Sequence, residues 1–325
     1  MPLHSTSGRW RIGLGLALVT MILWGILPLA LAIILSVLDI YTITWFRFLI
    51  AFGLLAAFLA SRRQLPPLKK LLPLSGLLGI AILGLAINYL LFLQGLKQTS
   101  PTNAEIIIQL APVLMGLGAL AIFRERYLLR QWLGLGILTL GMALFFHDQL
   151  EAVITNPSTY VWGNVLLGIA AATWAIYALA QKQLLEQLPS SSIMLVIYGS
   201  CMVLFTPLAQ PQQIFELSSI HFLILIFCGV NTLIAYGAFS EALEHLEASR
   251  VSAILAATPL VTLTSVWLIS IFLPRWLTPE KIETLGILGA IFVVIGAILI
   301  ALGKKPSSQL LTKTNEEITA INPRD

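Results

Sequence analysis

Arg47 and Glu105 are the charged side chains that interrupt the long apolar runs of this chain. A charge placed where water is scarce is costly, so each needs a partner or a wet cavity. Two chemistries are open to them. They could form a fixed ion pair that locks two helices together, or they could serve a passing solute. In the second case the guanidinium would anchor a carboxylate and the glutamate would carry a proton. Aromatic and amide groups are scattered through the same runs. Trp24, Asn88, Tyr89, Trp174, Tyr177, Asn231 and Tyr236 could line a cavity, the rings taking the apolar part of a solute and the amides its polar end. Each also has a plainer reading: an interhelical hydrogen bond for an amide, packing for a ring. Gln109 stands one helical turn from Glu105, and Ser252 aligns with Glu105 when the chain is compared with itself.

Catalytic, metal and cofactor chemistry are not expected. His4, His147, His221 and His245 stand at the ends of apolar runs or in tails, and no His, Cys and Asp cluster has ligand spacing. An embedded enzyme would need a nucleophile, an acid–base pair or a metal set at that depth. Cys201 and Cys228 lie inside apolar runs and read as small packing residues.

The elements that position these groups must be helices dissolved in lipid. Hydrophobic residues make up 58% of the chain and charged residues 10%, where a soluble domain carries about 25% charged residues. Mean hydropathy is +0.91. A net charge of +4, thinly spread, excludes nucleic acid as a partner. A helix needs roughly 20 apolar residues to cross the hydrocarbon core. Runs of that kind lie near 12–35, 41–60, 73–94, 103–123, 130–146, 160–180, 191–209, 218–240, 250–273 and 283–302, separated by turn signals such as Ser100-Pro101 and Leu188-Pro189-Ser190. The expected class is therefore an all-α integral membrane protein with ten transmembrane helices.

The pattern is written twice. Gly13 and Trp24 recur as Gly163 and Trp174; Tyr89, Ala111 and Pro112 recur as Tyr236, Thr258 and Pro259; Gly134 and Gly141 recur as Gly289 and Gly296. Residues 1–150 and 151–303 read as two repeats of five spans each, and 304–325 as a polar, disordered cytoplasmic tail. With the N-terminus in the cytoplasm, fifteen Lys and Arg residues fall on the cytoplasmic side and three outside; Arg47 completes the nineteen. That bias follows the positive-inside rule and places both termini in the cytoplasm. Five is an odd number, so the second repeat enters the membrane inverted, the arrangement that suits alternating access around a site between the halves. Pro112 and Pro259 interrupt equivalent spans and free the carbonyls near 108 and 255, which points to a site at the midplane.

The order and duplication of Leu23-Trp24-Gly25, Trp45-Phe46-Arg47-Phe48, Gly95-Leu96-Lys97, Ser100…Asn103-Ala104, Ala111-Pro112-Val113 and Arg124-Glu125-Arg126 resemble the drug/metabolite transporter superfamily, in its EamA type with two repeats. The second copy departs from the pattern at Pro274-Arg275-Trp276, with Glu280 as a shifted equivalent of the family's glutamate. The resemblance implies secondary transport of a small organic solute, commonly export of an amino acid or related metabolite across the bacterial inner membrane. The expected partners are that solute, the lipid bilayer and protons as a coupling ion; an uncoupled facilitator or exchanger would need no proton. A membrane sensor without transport is the alternative class.

Overall fold

In lipid the backbone must satisfy its own hydrogen bonds, so apolar runs of this length become helices. The computed structural model describes residues 9–123, 128–145, 147, 159–255, 257–272 and 284–301, and no strand occurs among them. The first half contains α1 (Trp10–Ile34), α2 (Ile40–Ser61), α3 (Ser75–Gln98), the broken pair α4 (Pro101–Ile108) and α5 (Leu110–Phe123), and α6 (Leu129–Phe145). The second half contains α7 (Thr159–Leu184), α8 (Ser190–Phe205), α9 (Ser219–His245), the broken pair α10 (Ala248–Leu255) and α11 (Thr258–Phe272), and α12 (Thr284–Ala301). One-turn segments, Leu68–Leu71 and Gln212–Phe215, stand ahead of α3 and α9.

Each expected run is met by a helix or by a broken pair, but their lengths are unequal. Among the described residues six stretches are long and apolar enough to cross a membrane: Trp10–Ile34, Ile40–Ser61, Leu72–Gln98, Pro101–Ala119, Thr159–Leu184 and Ser219–His245. Helices α6, α8, α11 and α12 are apolar but shorter. Helix α8 stops at Phe205, just ahead of Pro207, and α11 is short because the break before it divides its run. Helices α3 and α9 in turn run past the expected ends at 94 and 240. The motif Arg124-Glu125-Arg126, the divergent stretch at 274–280 and the tail 304–325 lie outside the described residues.

Helix starts follow local chemistry. The Asp39 carboxylate accepts from the backbone N–H groups of Tyr41 at 2.8 Å and Thr42 at 3.0 Å, capping α2. Ser100 accepts from Asn103 N at 3.2 Å, and Pro101 takes the first position of α4, where its missing N–H costs nothing. Boundaries recur with the duplication. Helix α1 ends at 34 and α2 begins at 40, while α7 ends at 184 and α8 begins at 190; α4 spans 101–108 and α10 spans 248–255.

The main packing is between halves: α1 lies along α9, α3 along α7, and α6 along α12. Polar bonds repeat that exchange. Asn88 on α3 donates to the Ala170 carbonyl on α7 at 2.9 Å, and Asn231 on α9 donates to the Leu23 carbonyl on α1 at 2.8 Å. Small residues permit the approach. A Cβ built at Gly95 would lie 2.8 Å from the Gly163 carbonyl, and one at Gly13 would lie 2.6 Å from the Leu246 side chain. Gly141 and Gly289 face each other's backbone across α6 and α12, as the seven-residue glycine spacing predicts for packing elements.

Candidate functional site

The two helix breaks meet at one cavity. The helix is interrupted at Gln109, between α4 and α5, three residues ahead of Pro112; in the second half the interruption falls just before α11, whose second residue is Pro259. Gln109, Ala111, Leu255 and Thr258, from both breaks, border the same space. That space spans about 660 Å³ when its open mouth is counted in.

Its wall combines rings with a few polar groups. Trp24 stands at the centre of an aromatic cluster, with ring centroids 5.7 Å from Trp174, 4.9 Å from Tyr236 and 5.5 Å from Phe239. Tyr89, 5.8 Å from Tyr236, extends the cluster toward α2. Asn88, Arg47, Glu105 and Gln109 supply the polar part of the lining.

Arg47 and Glu105 both face the cavity, but they do not pair with each other. The Arg47 Nε donates to Thr232 Oγ1 at 3.0 Å, and Nη2 donates to the Tyr89 hydroxyl at 3.3 Å. The guanidinium carbon also lies 4.4 Å from the centre of the Tyr89 ring, a cation–π contact. Glu105 instead accepts from Gln109 Nε2 at 3.0 Å, from one turn along the chain. The reading of the two charges as a helix-locking ion pair is thus corrected. Each bonds to neutral partners instead, Arg47 to Thr232 and Tyr89 across to other helices and Glu105 to Gln109 on its own stretch of chain. Both charged residues are nevertheless buried, Arg47 at 3% and Glu105 at 4% exposure, and Gln109 Oε1 is a buried acceptor without a hydrogen-bond partner.

Of the candidates singled out from sequence, Trp24, Arg47, Asn88, Tyr89, Glu105, Gln109, Trp174 and Tyr236 come together on this wall. Three lie elsewhere. Tyr177 is fully buried behind Trp174 and Tyr236, its hydroxyl against the Met194 sulfur at 3.7 Å. Asn231 lies outside the lining; its amide nitrogen bonds to α1 while its Oδ1 is buried without a partner. Ser252 faces Met115 at 3.6 Å. In their place the cavity takes Leu27, Pro28 and Leu31 from α1, together with Phe92, Ile108 and Thr258. Thr232 was not singled out, because a lone threonine in an apolar run carries no sequence signal. Among the described residues no group of three His, Cys, Asp or Glu could hold a metal.

The lining is lopsided: twelve of its residues precede position 150 and four follow it. Phe92 borders the cavity half-buried, whereas its repeat counterpart Phe239 is fully buried against Trp174 at 5.2 Å.

This paired architecture has known relatives. The profile of the EamA-like transporter family matches residues 11–147 and again 161–302. The chain belongs to that family. The uncharacterized inner membrane transporter YhbE of Escherichia coli (strain K12) is 40% identical over 297 residues, which span 90% of this chain and 92% of the relative. An uncharacterized transporter of Haemophilus influenzae is 37% identical over 295 residues, spanning 90% and 96%. One solved crystal structure, 17% identical, superposes with a TM-score of 0.62 over 96% of this chain and all of its own, a likeness of fold alone. EamA membership places the protein among drug/metabolite transporters, with relatives named for the inner membrane.

Proposed function

We propose that this protein is a secondary transporter that exports a small organic metabolite, such as an amino acid, by alternating access between two inverted five-helix repeats. The observation that carries the reading is the cavity itself. It forms where two equivalent broken helices meet, and it is faced by two opposite charges that are not neutralised by each other. A zwitterion would satisfy both. Its carboxylate would go to Arg47, its ammonium to Glu105 and the acceptor of Gln109, and its side chain to the rings of Trp24, Trp174 and Tyr236. Asn88 and Tyr89 border the same volume.

In this reading residues 1–150 and 151–303 are the two repeats, ten spans cross the inner membrane, and both termini are cytoplasmic. The lining then belongs mostly to the outer halves of α1, α2 and α3, so the state is open outward and shut toward the cytoplasm. Exchanging the conformations of the two halves would shut the outer mouth and open the inner one. Tyr177, Asn231 and Ser252 would act in that second state. Export against a gradient would draw on protons carried by Glu105.

The test is a screen of pooled metabolites for thermal stabilisation of the purified protein, since binding to the folded state alone raises its stability. Hits are then followed by counterflow in proteoliposomes. A transporter accumulates labelled solute transiently in vesicles preloaded with unlabelled solute. A sensor would bind with no counterflow, and that outcome would transfer the cavity to the alternative class.

A further inference from the structure

The geometry points to Thr232 as the residue that orients Arg47 for end-on recognition of a planar carboxylate. The inference rests on the cavity being the transport site, and it adds a positioning element and a binding mode to that site.

A guanidinium has two usable edges. The side edge carries the Nε–H and one Nη2–H, and the end edge carries one proton from each of Nη1 and Nη2. Here protein groups occupy the side edge. Nε donates to Thr232 Oγ1 at 3.0 Å and Nη2 to the Tyr89 hydroxyl at 3.3 Å. These two acceptors are themselves held. Tyr89 OH approaches Thr232 Oγ1 at 3.5 Å, and Thr232 Oγ1 donates to the Cys228 carbonyl at 2.9 Å. The Thr232 carbonyl in turn accepts from Tyr198 OH at 3.0 Å. Phe48 stacks on the Tyr89 ring at 4.5 Å and fixes its plane.

The triangle of Arg47, Tyr89 and Thr232 is therefore closed on the protein side. The end edge keeps its donors, and Arg47 borders the cavity with no acidic partner among the described residues. Two parallel N–H donors at fixed spacing match the two oxygens of a carboxylate. Lysine, a point charge on a flexible stem, could not offer that fork. Thr232 touches no solute, since it lies behind Arg47 and outside the lining; its part is to hold the fork in place.

The test separates this role from simple packing. Thr232→Val keeps the shape of the side chain and removes the acceptor; Thr232→Ser keeps the hydroxyl. Proteoliposome uptake is measured with a mixture of the twenty labelled amino acids and with an equal mixture of their decarboxylated amines as competitors. Thr232→Val is expected to raise KM for the acids about tenfold, the loss of one charge-assisted hydrogen bond, with kcat little changed. Thr232→Ser is expected to restore wild-type KM, and the inhibition constants of the amines to stay put. Equal KM in wild type and Thr232→Val, or an equal loss for acids and amines, overturns the assignment.

A second arm needs no transported solute. Phenylglyoxal condenses with the two terminal guanidinium nitrogens, so peptide mass mapping reports whether the end edge is open. Modification of Arg47 in the wild-type protein is expected. An Arg47 that stays unmodified while exposed arginines react contradicts a free end edge. Failure of uptake in every protein, with Arg47 still modified, would count against the transport reading and leave the orientation of Arg47 standing.

Discussion

At the scale of single residues, the chain separates charges that a simpler membrane protein would pair. Arg47 is held by a hydroxyl and a phenol, and Glu105 by an amide. Neither side chain meets an oppositely charged one among the described residues. Glu105→Gln preserves shape and hydrogen bonding but removes the ionisable group. Proton-driven export predicts that this variant still binds solute while its uptake loses pH dependence, with the driven rate falling about tenfold or more. Unchanged pH-dependent uptake would eliminate Glu105 as the coupling site. Arg47→Ala should abolish stabilisation by acidic solutes; if affinity survives and only the melting temperature drops, Arg47 is structural. Sequence alone made Arg47 and Glu105 conspicuous because charge is rare at such depth. It could not say what they touch. Thr232 lies one residue after Asn231, whose amide is conspicuous in sequence, yet Asn231 donates to a helix backbone and it is Thr232 that holds the arginine.

Helices show the same division between what spacing reveals and what only packing decides. Proline positions announced two breaks, and the structure opens both helices just ahead of them, where the ring removes a donor from the preceding turn. Glycines seven apart announced one close-packed face on each of two helices, but spacing does not name the partner. The partner turns out to be the equivalent helix of the other half: a Cβ at Gly141 would stand 2.6 Å from Val293 N, and one at Gly296 would stand 2.4 Å from Leu138 N. Backbone cannot yield there as a side-chain tip can. Gly141→Leu should therefore force α6 and α12 apart and destabilise the fold by about 1–3 kcal/mol, the usual cost of overpacking. Gly136→Leu on the same helix meets open space and should be neutral. Thermal melts of the two variants in one detergent check the contrast; equal melting temperatures would show that α6 and α12 do not pack this way.

At the scale of the whole molecule, the duplication sets the logic of the fold. The long helices pair across the halves, and the corresponding positions of the two halves are in different states. Composition made the membrane class legible, and repeat offsets near 150 made the paired architecture legible. The lopsided cavity was only hinted at, by Arg47 and Glu105 having no charged counterparts in the second half; which side chains border it is decided by packing. Phe92 and Phe239 stand at equivalent positions, one beside the cavity and one sealed against Trp174. Alternating access requires those roles to exchange. The direct measurement is the labelling rate of Phe92→Cys from outside and Phe239→Cys from the cytoplasmic face, with a membrane-impermeant maleimide, as saturating solute is added. The native thiols at Cys201 and Cys228 are buried and leave little background. Alternating access predicts that the two rates move in opposite directions, one rising as the other falls. Rates that rise and fall together, or a residue 239 that stays sealed under every solute condition, would contradict it.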